Sequence, residues 1–101
     1  MVRHFNITGE LTQELLAAGD NVKVTSISLT NIQKVSKCKV DLYIEKKLTG
    51  KFYLLKAVEL PVGATLIYDN MSFSTATGQF GLYLKLTKSA SETPSVDVIL
   101  Q

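Results

Sequence analysis

The stretch GLYLKLT, residues 81–87, alternates without a break. Leu82, Leu84 and Leu86 share one parity, and Tyr83, Lys85 and Thr87 share the other. Side chains of a β-strand point alternately to its two faces, so this pattern predicts a half-buried strand with leucines on a core. The same pattern recurs in KVDLYI, residues 39–44, where Val40, Leu42 and Ile44 oppose Lys39, Asp41 and Tyr43. It recurs again in SVDVIL, residues 95–100, where Val96, Val98 and Leu100 oppose Ser95 and Asp97. One wet face and one dry face is the signature of antiparallel sheets.

VKVTSISLTN, residues 22–31, breaks the rule. Val22 and Val24 have one parity, Ile27 and Leu29 the other. A regular strand cannot bury both sets on one face, so either a bulge near Thr25 and Ser26 resets the register, the preferred reading, or the strand is covered on both sides. Further along, residues 41–48 read as a strand, residues 48–51 as a tight turn that uses Gly50, and residues 52–55 as the returning hairpin partner. Pro61 and Gly63 interrupt any ladder and turn the chain before a short strand at residues 65–68. ELTQELLAAGD, residues 10–20, has helix propensity but lies among strands. For residues 10–18 strand is the preferred reading and helix the alternative.

These segments predict an all-β fold: a single antiparallel β-sandwich of about eight short strands, jelly-roll or Ig-like, filling one domain over residues 1–101. The 101 residues, 46% hydrophobic and 20% charged, have globular composition and can bury a core without metals or disulfides. The lone Cys38 can make no intrachain disulfide, which points to a reducing compartment. MVRHFNITGEL has no apolar segment of signal-peptide type, and no stretch approaches the ~20 apolar residues of a membrane helix, so synthesis in the cytoplasm and no membrane partner are expected.

The chain offers little material for catalysis. His4 is the only histidine, and a metal site needs several converging ligands. Cys38 lies between Lys37 and Lys39, outside any CxxC or protease-like context. GxSxG, Walker A and GxGxxG patterns are absent, and the nine acids are scattered. No catalytic residue, metal, cofactor or small-molecule substrate is therefore expected. Net charge is +2, too small to argue for nucleic acid.

Charge is nevertheless uneven. Lysines 34, 37, 39, 46, 47, 51 and 56 crowd the hairpin region, with Asp41 and Glu45 to offset them. They form a solvated hairpin that resists edge pairing, a patch that docks on an acidic protein surface or, third in order, a nucleic-acid contact, against which the few interleaved aromatics and the lack of arginine count. Phe73 and Phe80 flank the polar STATGQ segment and either cap the core or anchor a neighbouring subunit. The candidate interface residues are Lys46, Lys47, Lys51, Tyr53, Phe73 and Phe80.

The order VTSISLTN, KVDLYIEKK, KFYLLKAVELPVGATLIYDN, GLYLKLT, SVDVIL resembles that of small β-sandwich virion structural proteins of tailed bacteriophages. The resemblance is carried by a strand ending in Asn31, by Tyr53-Leu54-Leu55-Lys56, Val58, Leu60-Pro61, Gly63 and Thr65-Leu66, and by the late Val96-Asp97-Val98. It covers roughly residues 22–101. MSFSTATGQFG departs from the shorter turn of those proteins. The resemblance implies a non-enzymatic part of the virion, such as a head decoration, neck, or tail and fibre accessory. Its partners would be other virion proteins and further copies of itself, with no nucleic acid contact. The alternative is a recognition module for host-surface glycans or receptors. An aromatic content of 8% without tryptophan counts against it, because sugars stack on aromatic rings.

Overall fold

The structure, a computed structural model, describes residues 3–18, 23–46, 50–69, 73–74 and 80–101. The described residues form strands in this order: β1 (Arg3–Thr8), β2 (Thr12–Leu16), β3 (Lys23–Val24), β4 (Ile27–Asn31), β5 (Cys38–Lys46), β6 (Gly50–Leu60), β7 (Thr65–Tyr68), β8 (Phe73–Ser74), β9 (Gly81–Lys88) and β10 (Ser95–Leu100). The ambiguous segment is thus a strand, β2. It pairs with β9, and burial of Leu15 and Leu16 outweighs its local helix propensity.

Two antiparallel four-stranded sheets make the body. Sheet I has the order β1-β10-β4-β7, and sheet II the order β2-β9-β5-β6; β3 and β8 form a small separate pair. The alternation of the sequence decides what each sheet buries. Sheet I turns Ile7, Leu29, Val96 and Val98 inward, and sheet II answers with Leu42, Leu82, Leu84 and Leu86, none more than 2% exposed. Removing so much apolar surface from water, at about 25 cal/mol per Å², is the main force that closes the sandwich. Cys38 is part of this core, and burial raises its thiol pKa, so it stays protonated.

The register break falls where the mixed parity requires it. The Thr25 and Ser26 N–H groups both donate to the Gln101 carbonyl, at 2.7 and 3.0 Å, and the Gln101 N–H returns to Ser26 at 2.9 Å. Two residues opposite one is a β-bulge, and it lets Val24 and Ile27 both face the interior. At the hairpin, β6 is longer than residues 52–55 alone, and Gly50 carries a φ of 120° opposite Lys46. The rest of the expected turn lies outside the described residues. Next, Ala64 N–H closes onto the Pro61 carbonyl at 3.1 Å, with Gly63 at φ 73°. That geometry requires glycine at the third position of the turn.

One end of the sandwich is held by side chains. Fully buried Asn31, at the end of β4, donates through Nδ2 to the Leu60 carbonyl (2.8 Å) and the Ser36 carbonyl (3.2 Å). Its Oδ1 accepts from the Gln33 N–H at 2.8 Å. Asn31 therefore ties sheet I to the end of β6 in sheet II. Close by, the Glu92 carboxylate accepts from the N–H groups of Lys34 (2.9 Å), Val35 (3.2 Å) and Ser36 (2.6 Å), and from Gln33 Nε2 (3.2 Å).

Those donors favour the charged carboxylate, led by the Lys34 and Ser36 amides, and lower the Glu92 pKa from 4.5 to about 2. A lowered folded pKa gives stability that is complete above the unfolded value of 4.5 and is lost as pH falls from there towards about 2. Glu92→Gln is expected to lower Tm at neutral pH, and the gap to the unsubstituted protein should close through that acidic window. Circular dichroism melts across the range check this; a gap that stays constant with pH would contradict it.

Candidate interaction face

The outer face of sheet II carries the densest cluster of functional groups among the described residues. Cross-strand register builds it. Tyr83 on β9 stands opposite Tyr43 on β5, and Tyr43 stands opposite Tyr53 on β6. Glu14 on β2 stands opposite Tyr83 and extends the row over all four strands. The Tyr43 and Tyr83 rings stack at 5.6 Å with 14° between planes, and Tyr43 meets Tyr53 at 5.3 Å and 50°. Each such pair contributes about 0.5–1.5 kcal/mol beyond its burial.

Lysines roof the row. Lys51 Nζ lies 5.0 Å from the Tyr43 ring centroid, and Lys56 Nζ lies 4.3 Å from that of Tyr53. Flanked by two rings and roofed by a third side chain, Tyr43 is only 3% exposed although it points outward. The Tyr53 ring, 43% exposed, is the open end of the row. At the other end the Tyr83 hydroxyl donates to Glu14 Oε2 at 3.1 Å. Burial first, and then the Glu14 carboxylate, raise the Tyr83 pKa, so the phenol keeps its proton. Gly81 makes room for Tyr83, since a Cβ there would lie 3.0 Å from both the Leu16 carbonyl oxygen and the Tyr83 ring.

Two bulges bring Tyr53 opposite Tyr43. Between the Val40–Val58 and Leu42–Leu55 pairs β6 holds one residue more than β5, and it gains another before the Tyr43–Tyr53 pair. Two insertions restore parity, so Val58 and Leu55 face in while Tyr53 faces out. Ala57, in the first bulge, has φ 51°, and its N–H donates to Asp41 Oδ1.

Some of the lysines of this region have acids beside them. Lys39 stands opposite Glu59, Lys51 opposite Glu45, and Lys85 opposite Asp41. Lys37 pairs with Glu59 at 2.5 Å, and that hydrogen bond and charge lower the Glu59 pKa. The face is therefore mixed in sign.

The six candidate residues separate. Lys51 and Tyr53 belong to the tyrosine row. Lys46 and Phe80 meet at the hairpin end of the sheet, with Lys46 Nζ 6.0 Å from the Phe80 centroid and Phe52 edge-on to Phe80 at 5.9 Å. Lys47 lies outside the described residues. Phe73 contributes backbone to β8 opposite Val24, and its side chain is outside the described part. Tyr43, Tyr83, Lys56 and Glu14 complete the row and were not among the six. Their outward parity was readable for Tyr43 and Tyr83; their alignment across strands was not. His4 is exposed on β1 of sheet I, whereas Cys38 is buried in sheet II.

No family model matches the chain, and no curated protein matches it in sequence. Solved structures do match. PirA superimposes with a TM-score of 0.59 at 8% identity, covering 98% of this chain and 91% of that one. The Yersinia pseudotuberculosis-derived mitogen YPM gives 0.55 at 11% identity, covering 100% of this chain and 83% of that one. The chain shares their fold. The structure of infectious bursal disease virus, Gx strain, matches with a TM-score of 0.42 at 13% identity, over 99% of this chain and 33% of that one. At these identities likeness extends to architecture and not to activity.

Proposed function

We propose that the chain is a non-enzymatic structural protein of a bacteriophage virion. In this reading it docks into a symmetric assembly as a head decoration, neck, or tail and fibre accessory, after synthesis in the host cytoplasm. The observation that supports it best is the outer face of sheet II: an aromatic row with interleaved opposite charges on an open sheet. Tyrosine at the centre and charged groups around it suit contact with another protein surface. The order of strand motifs noted in the sequence supports the particle context.

Mass spectrometry of purified particles tests the reading, and absence of the protein from them would end it. The face is tested by Tyr53→Ala combined with Lys56→Ala. Both side chains are exposed and on an edge strand, so folding should survive. Incorporation into particles should drop at least about tenfold, as expected for loss of an interface anchor worth ~1.4 kcal/mol or more. Unchanged incorporation would remove the face from the proposal.

One observation favours the recognition alternative. His4, Phe5, Asn6, Asp97, Val98 and Ile99 line an open hollow of about 260 Å³ on sheet I. Planar polar groups beside an aliphatic wall suit a sugar ring. Binding of a glycan there by a stable monomer would favour this second reading over the first.

A further inference from the structure

Each sheet ends in two edge strands, and among the described residues the four edges are not equally protected. In sheet II, β6 is interrupted by two bulges, and it carries Lys51 and Lys56. The other edge, β2, has a bulge between Glu14 and Leu16, and Gln13 Nε2 donates to the Glu14 carbonyl at 3.1 Å. In sheet I, β7 is only four residues long. Bulges, lysines and short length are the usual devices against edge-to-edge pairing.

β1 has none of these. It pairs with β10 through six consecutive partners without a register shift, and it contains no lysine or proline. Its formal charge, on Arg3, is at the first residue of the strand. The Gly9 N–H bonds to the Pro94 carbonyl at 2.8 Å, which places Gly9 in a hydrogen-bonded position of the ladder. In an antiparallel ladder these positions alternate. Arg3, Phe5 and Ile7 therefore direct their main-chain groups to β10. His4, Asn6 and Thr8 direct their N–H and C=O groups to the open edge.

We propose that β1 pairs antiparallel with β1 of a second copy of this chain, joining two copies of sheet I into one continuous sheet about a twofold axis at Asn6. In that register Asn6 faces Asn6 and His4 faces Thr8, so all six outward main-chain groups are paired. Phe5 faces Ile7 of the other copy on the inner surface, extending the apolar layer. No like charges stand opposite each other among these pairs. The register also keeps inner residues inner in both copies, which a shift by one residue would reverse. The proposal gives a partner to the assembly reading above and rests on it for a biological role. The tyrosine face of sheet II remains open in such a dimer.

Sedimentation velocity on the full chain tests this. The mass should rise from monomer to dimer as concentration increases to about 0.5 mM, the range suited to a small interface. Asn6→Pro removes an N–H that faces outward, a site where an edge strand tolerates proline. It should leave the circular dichroism spectrum intact and weaken dimerisation at least tenfold. A second variant guards against misfolding. A short bismaleimide should link Asn6→Cys into dimers but leave Ile67→Cys, on the opposite edge, monomeric. A wild-type chain that stays monomeric, a folded Asn6→Pro that dimerises normally, or linking at residue 67 as strong as at residue 6 would each overturn the proposal. The two proposals fail separately: a monomer that still enters particles removes only the dimer, and a dimer absent from particles removes only the virion role.

Discussion

Leu84→Asp is expected to yield a chain that does not fold, while its neighbour Lys85→Glu yields one that does. Leu84 is 0% exposed at the middle of β9, with Leu42 of β5 beside it on the same face. A domain of this size is stable by only about 5–15 kcal/mol. Truncation to alanine alone costs about 2–5 kcal/mol, and aspartate adds a charge without a partner in the core. Lys85 projects into solvent opposite Asp41. Reversing its charge costs about 0.5–1 kcal/mol through that one unfavourable pair. Amide NMR spectra and urea melts of the two variants check this. Similar behaviour in both would mean that the inward and outward assignments of β9 are wrong.

Asn31→Ala is expected to be the most damaging substitution of a polar residue. It deletes three hydrogen bonds and leaves the buried Leu60 carbonyl and Gln33 N–H without those partners. Each orphaned buried group costs about 1–3 kcal/mol, so the loss should be about 3 kcal/mol or more. Asn31→Asp should do no better. Its carboxylate can still accept from Gln33, but it faces the Leu60 and Ser36 carbonyls with oxygen instead of a donor. Urea unfolding gives the magnitude, and amide exchange at Gln33 gives the location. A loss under about 1 kcal/mol for Asn31→Ala would show that the clamp between the sheets is not made by this side chain.

These two residues differ in how readily the chain alone reveals them. Leu84 is read from its neighbours in sequence, because period-two alternation needs only local geometry. Asn31 is visible as the polar end of an apolar strand, but its partners at Ser36 and Leu60 meet it only after the sheets stack. Glu92 is similar: nothing around it marks it as the acceptor for the amides of residues 34–36, which lie more than fifty residues earlier. The lysine crowding in residues 34–56 leaves open a solvated hairpin or a docking patch. In the fold Lys39 and Lys51 each stand opposite an acid on a neighbouring strand, and Lys37 pairs with Glu59.

Alternation, the bulge at Thr25 and Ser26, and the Pro61–Gly63 turn were set by the sequence by itself, because each depends on a few adjacent residues and on steric rules of the backbone. The tyrosine row, the Asn31 clamp and the contrast between a bare β1 and a bulged β6 were decided by tertiary structure. Tyr43 and Tyr83 align only because β5 and β9 pair in one register, and that register minimises the exposure of two whole apolar faces at once. Local pattern chooses the face of a side chain; packing of distant strands chooses its neighbours.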